Sequence, residues 1–87
     1  MADLIEILNT ITELLYQEKK NDAYGLLARC LPILSAILGE MTDIELQTEL
    51  MNALKEAMEA MEADDVTLLA DILQYEVIEK LAEMEEE

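Results

Sequence analysis

The chain has 87 residues, which fits one small domain over 1–87. It is 53% hydrophobic with only two Gly, one Pro and three Tyr as its aromatics, a composition of helix formers that leaves little for turn-rich β architecture. A formal net charge of -16 and the absence of His exclude phosphate recognition by a basic surface, and remove the commonest general base and metal-binding side chain.

A first helix is predicted over about 3–18. Asp3 and Glu6 have the spacing of a capping box. At ~100° per residue, Leu4, Ile7, Leu8, Ile11, Leu14 and Leu15 fall within a sector about 120° wide, with Glu6, Thr10, Glu13 and Gln17 opposite. Lys19 and Lys20 suit the negative end of its dipole.

A second helix follows over 22–38, with Asn21 or Asp22 as cap and Gly39 as stop. Its apolar arc is about 180° wide, from Ala23, Leu26, Leu27 and Cys30 through Leu31, Ile33, Leu34, Ile37 and Leu38, which calls for neighbours on two sides. Pro32 falls on the outer side with Gly25, Arg29 and Ala36, and predicts a bend in a helix that continues.

The third helix is predicted over 43–62. Thr42 and Glu45 have capping-box spacing, and Met41 and Leu46 have the spacing of a hydrophobic staple. Leu46, Leu50, Met51, Leu54, Ala57, Met58 and Met61 form the expected buried face, and Glu45, Glu49, Asn52, Glu56 and Glu59 the wet one. Gln47 falls among the apolar side chains, as a buried polar specificity device or a partner contact.

At Asp64 and Asp65 the apolar stripe jumps by roughly 140°, so a continuous helix would face two ways. A break with one Asp as N-cap resolves the conflict and starts a fourth helix over 66–84. Val66, Leu69, Ala70, Leu73, Val77, Leu81 and Met84 form its core side, while Leu68, Ile72 and Tyr75 form a second apolar patch. The acidic tail, Glu83 to Glu87, opposes the helix dipole and is expected to fray. Short connections make the whole an all-α, single four-helix, up-down-up-down bundle.

Motifs for chemistry are sparse. Cys30 is the only cysteine, which excludes an intrachain disulfide, and its helical phase puts it in the core. Asp64-Asp65 lacks the dozen-residue loop with alternating oxygen ligands and a central Gly that calcium needs. Glu76 projects between Leu69 and Ile72, either as a buried acid or at a seam reaching water. Met41, Met51, Met58, Met61 and Met84 are core filling or the lining of an adaptable groove. Ser35 is the only serine and lies inside the Pro-containing helix, unlike the Asp-Ser-Leu attachment site of acyl carrier proteins. No catalytic residue, metal or cofactor is expected.

Residues 53–81 carry Ala60, Asp65, Leu69, Asp71, Leu73 and Glu76 in the pattern A-x-x-x-x-D-x-x-x-L-x-D-x-L-x-x-E. This third of the chain resembles an uncharacterised family of small acidic helical proteins from Firmicutes. More loosely, it is similar to flagellar export chaperones of the small helical-bundle type. The resemblance implies a bacterial protein linked to motility-related export.

From the residues themselves the expectation is a non-catalytic adaptor or chaperone-like module, with a groove from the third and fourth helices gripping an amphipathic client. The 43 residues from 45 to 87 carry 14 acids and 2 bases, so the partner is expected to be a basic or amphipathic protein segment. Leu68, Ile72 and Tyr75 are its candidate contacts, or the contacts of a symmetric homodimer. A self-associating structural protein and an acidic nucleic-acid mimic are the alternatives. No direct nucleic-acid or membrane contact is expected. No run of 18 apolar residues and no basic leader stands in the sequence, so a cytoplasmic location is expected.

Overall fold

Three short turns set the topology. The computed structural model describes residues 2–85, and no strand occurs among them. Helix α1 spans Ala2–Tyr16, α2 spans Lys20–Glu40 and α3 spans Ile44–Glu62. Helix α4 runs over 66–85 in three consecutive pieces: α-helical Val66–Ile72, π-helical Leu73–Ile78 and α-helical Glu79–Glu85. The all-α four-helix bundle is therefore present, with each boundary within a few residues of its predicted place.

Two of the turns share one device. Glu18 sits at φ 63°, its N–H donating to the Leu15 carbonyl at 3.2 Å and the Lys19 N–H donating to the Leu14 carbonyl at 2.9 Å. Asp64 sits at φ 57°, its N–H donating to Met61 at 3.0 Å and the Asp65 N–H donating to Ala60 at 2.8 Å. Both are Schellman closures, which satisfy the last carbonyls of a helix through a left-handed residue. Neither uses glycine, at a cost of ~1–2 kcal/mol each.

Caps differ from the predicted ones in detail. Helix α1 already includes Ala2, so Asp3 stands in its first turn rather than at its N-cap. Lys19 precedes α2 without a side-chain cap, and Asn21 and Asp22 lie inside the helix. Asp43, not Thr42, caps α3 by accepting the Leu46 N–H at 3.1 Å. The capping side chain is one residue later than expected, where a carboxylate also meets the positive end of the dipole. Gly39 is helical, and α2 ends only where Met41 turns extended. Helix α2 passes through Pro32 without a break, because Pro32 is exposed and water can reach the carbonyl left without a donor. At the far end, Glu85 remains helical, and the rest of the acidic tail lies outside the described residues.

Helix α1 packs chiefly on α2 and α4, α3 packs chiefly on α4, and α2 and α3 meet only sparsely. Lys20 at the start of α2 reaches Asp64 at the end of α3, and Lys80 late in α4 pairs with Glu49 early in α3. Neighbours in sequence thus run antiparallel, up-down-up-down. The core is a continuous cluster that includes Leu8, Ile11, Leu27, Cys30, Leu34, Leu50, Leu69, Leu73 and Leu81. Each large aliphatic buried there contributes about 1.5–3 kcal/mol. The radius of gyration of 12.2 Å is close to the ~12 Å of a compact domain this long.

The π-helical turn keeps α4 in phase. Leu69, Leu73, Val77 and Leu81 are four residues apart, and all are at most 1% exposed. In a straight α-helix three steps of four drift by about 120°. One residue added to a turn takes back about 100°. The widened turn therefore holds four side chains on one line against α1 and α3.

Small residues decide how α3 docks. Its buried face is Leu50, Ala53, Ala57 and Ala60. Three alanines let the α3 backbone lie close to α4. Met51 and Met58, expected in the core, are 55% and 41% exposed. They stand one position round the helix from the alanine stripe, so close docking on α4 turns them away from the core. Ile7 and Ile33 are also exposed despite their apolar phase, because the arcs they border are narrower than the sequence pattern.

Candidate partner-binding groove

Close docking of α3 on α4 leaves space between α3 and α2. Along α2, Leu31, Ser35 and Leu38 recur at helical spacing, and along α3 Met51, Leu54 and Met58 face them. Together with Lys55, Glu59 and Glu62 they line an open, elongated hollow of about 630 Å³. Ser35 adds room where a longer side chain would fill it. Its floor and walls are mostly aliphatic and methionine, and its charged groups sit on the rim.

Polar contacts pin the two helices at both ends of this hollow. At one end the Lys20 ammonium contacts Asp64 at 2.5 Å and the Tyr24 hydroxyl donates to Asp64 at 2.9 Å. The bonds from Lys20 and then Tyr24 hold the Asp64 carboxyl below the usual aspartate range, since both favour its charged form. Desolvation first, and then the bond to Asp64, push the Tyr24 phenol up. At the other end Gln47 donates its amide Nε2–H to the Leu38 carbonyl at 2.6 Å. Gln47, the polar residue out of pattern, thus secures the last turn of α2. The middle of the α2–α3 seam has no such bond.

Of the residues singled out from the sequence, Leu68 and Ile72 line one hollow and Tyr75 stands apart from them. Ile72 is only 5% exposed and belongs to the core, while Leu68 and Tyr75 are 47% and 58% exposed. Leu68 and Ile72 together border a shallow hollow of about 250 Å³, with Glu56 and Ala60 of α3 and Ala63 just past its end. Tyr75 instead lies near Tyr16 of α1, whose phenol is pushed up by desolvation and by the Asp71 carboxylate. The widened turn of α4 begins between Ile72 and Tyr75 and rotates Tyr75 off the line assumed for a uniform helix. The alanine stripe brings α3 close to α4 and leaves a shallow hollow there, and the larger one is in the next seam round the bundle.

Two residues outside the sequence reading fasten α1 to α4. The Tyr16 hydroxyl reaches Gln74 at 3.0 Å and Asp71 at 3.3 Å. Nothing in the local pattern of Tyr16 signals this, since its partners lie 55 and 58 residues away. The α2–α3 groove likewise has no local signal, since periodicity marks both the alanine stripe and the two methionines as apolar.

The other chemical candidates have structural positions. Cys30 is buried, and burial pushes its thiol up, which opposes thiolate formation. Asp65 caps α4 by accepting the Leu68 N–H at 3.1 Å, and Asp64 bonds Lys20 and Tyr24. Among the described residues, no group of three His, Cys, Asp or Glu is placed to hold a metal ion. Glu76 is half-buried, and Met41, Met61 and Met84 pack partly buried against the core. By length and composition α2 is apolar enough to cross a membrane, a test that the core helix of a bundle also passes. In the fold Ala23, Leu27, Cys30 and Leu34 of its wide apolar arc enter the core, Leu31 and Leu38 line the groove, and Ile33 is exposed.

The chain belongs to a family of unknown function. The family model described as Domain of unknown function (DUF8042) matches it over residues 1–87. No curated protein and no solved structure matches the chain. Membership over the full described bundle makes all four helices, and the seam between α2 and α3, parts of one family domain.

Proposed function

We propose that this DUF8042 chain is a non-catalytic protein-binding module, an adaptor or export-chaperone-like protein, whose α2–α3 groove receives an amphipathic, basic client helix. The observation that carries this reading is the groove of about 630 Å³, apolar along its length, with Met51 and Met58 exposed on one wall. Methionine adapts its shape to varied apolar surfaces, and a helix laid in a groove buries its own apolar stripe. Charge complementarity selects the occupant. A chain of net charge -16 attracts cationic segments and repels its own copies, which disfavours a homodimer through this face. The likeness of residues 53–81 to export chaperones is in keeping with a client-holding role in a bacterial cytoplasm.

Titration of synthetic amphipathic Lys/Arg-bearing helices into the protein tests the proposal. Met58→Glu places a charge on the groove wall at an already exposed position. Binding at least about tenfold weaker is expected, from a desolvated charge worth more than ~1.4 kcal/mol. Unchanged affinity in that variant, with the fold intact by circular dichroism, removes the groove as the site. A nucleic-acid mimic would instead grip a DNA-binding protein and lose it steeply between about 50 and 200 mM salt.

A further inference from the structure

We infer that the client helix is electrically one-ended: its cationic residues sit at the end of the groove beside Glu59 and Glu62, and its middle carries no cation. This deepens the groove reading and rests on it. The charged lining of the groove is unevenly placed. Glu59 and Glu62 lie toward the α3 C-terminus, Lys55 stands one turn further back, and the remaining lining is uncharged.

Antiparallel pairing fixes which end is which. Tyr24 and Lys20 meet Asp64 at one end, and Leu38 meets Gln47 at the other. Glu59 and Glu62 therefore lie toward the Tyr24 end, and Met51 toward the Gln47 end. The Asp64 carboxylate is already engaged by Lys20 and Tyr24, so the free carboxylates of that end are those of Glu59 and Glu62.

From Met51 to Glu62 the α3 wall is about 16 Å long at 1.5 Å per residue. Three turns of a client helix fit this length. Its apolar anchors would recur at i, i+3 and i+7 to meet Met51, Leu54 and Met58 in turn. A Lys or Arg at the client's middle would face Lys55, and one at its end would face Glu59 and Glu62. Opposite-charge placement at one end and repulsion at the centre together set the position of the client along the groove.

Two peptides of identical composition test this. Both are 14-residue helices with the same apolar anchors, one with two Arg at one end and the other with both Arg near the middle. The end-charged peptide should bind about five- to tenfold tighter, from two partly exposed ion pairs. A spin label on its charged end should broaden the amides of 59–62 more strongly than those of 47–51. In Glu59→Gln/Glu62→Gln the preference should vanish while both peptides still bind. Equal affinities in the unmodified protein, or broadening stronger at 47–51 than at 59–62, would overturn the one-ended client and leave the groove standing. Failure of both peptides to bind, or binding insensitive to Met58→Glu, would overturn the groove itself.

Discussion

Tyr24 donates its hydroxyl to the Asp64 carboxylate at 2.9 Å, joining the second helix to the turn that ends the third. Asp64 holds a left-handed backbone conformation and also contacts Lys20, so one residue both closes a helix and pins its neighbour. The pin matters because α2 and α3 share little other packing.

Removing the pin without touching the turn is therefore informative. Lys20→Met with Tyr24→Phe should lower Tm by a few degrees at neutral pH, because in a domain this small the loss of even one exposed pin shows in thermal unfolding. The sign with pH follows from the lowered Asp64 pKa. Near pH 4 and below, the unfolded chain binds the proton more readily than the folded one. The pin's stabilisation is complete above that range and is lost as pH falls through the folded pKa. The Tm difference between the double variant and the parent should shrink below about pH 4, and a constant difference down to pH 2 would remove Asp64 as its origin. Comparing two chains under the same conditions cancels most of the effect of their large common charge.

Glu18 occupies the same left-handed position at the end of α1, with φ 63°. Glu18→Gly should raise stability by about 0.5–1 kcal/mol, as relief of the left-handed strain exceeds the added entropy of the unfolded chain. Urea unfolding checks it. A loss of stability would mean that the Glu18 side chain contributes more than its backbone costs.

The alanine stripe gives the most direct stability contrast. Ala57 is 2% exposed, whereas Met58 beside it is 41% exposed. Ala57→Leu should destabilise by about 1–3 kcal/mol through overpacking against α4. Met58→Leu should change stability by less than about 0.5 kcal/mol, as surface substitutions do. Equal effects at the two positions would contradict the docking of α3 described above.

Ile72 and its former companions separate in the same way. Ile72→Ala should cost about 2–5 kcal/mol, because it opens a cavity in the core. Leu68→Ala and Tyr75→Ala should leave both stability and peptide affinity close to the parent. Weakened peptide binding in either exposed variant would return the client site to α4.

Gln47 tests the other end of the seam. Gln47→Leu removes the 2.6 Å bond to the Leu38 carbonyl and should cost about 1 kcal/mol. Hydrogen exchange should rise in the last turn of α2 before it rises in the core. Uniform exchange across the bundle would show that Gln47 does not hold that turn.

Much of the fold was legible because it rests on local chemistry. Helical periodicity placed Leu4, Leu8, Ile11 and Leu15 on one buried line, and the phase jump at Asp64-Asp65 marked a real turn. A capping carboxylate also follows from its neighbours alone, and Asp65 takes that position at α4. Thr42 and Asp43 show the limit of such signals, since two adjacent acceptors compete and the geometry of the turn chooses.

The seam was not legible, because periodicity says that a face is apolar and not which neighbour covers it. Met51 and Ala53 both border the apolar arc of α3, yet one is exposed and the other is buried. Only docking selected the smaller side chains, since alanines permit the closest approach to α4. The widened turn at 73–78 is likewise a tertiary compromise, made so that Leu69, Leu73, Val77 and Leu81 all reach the core. Sequence alone determined that there are four amphipathic helices, strongly acidic and without histidine. Tertiary structure decided which pair of helices stands apart, because that depends on the sizes of side chains meeting across helices far apart in the chain.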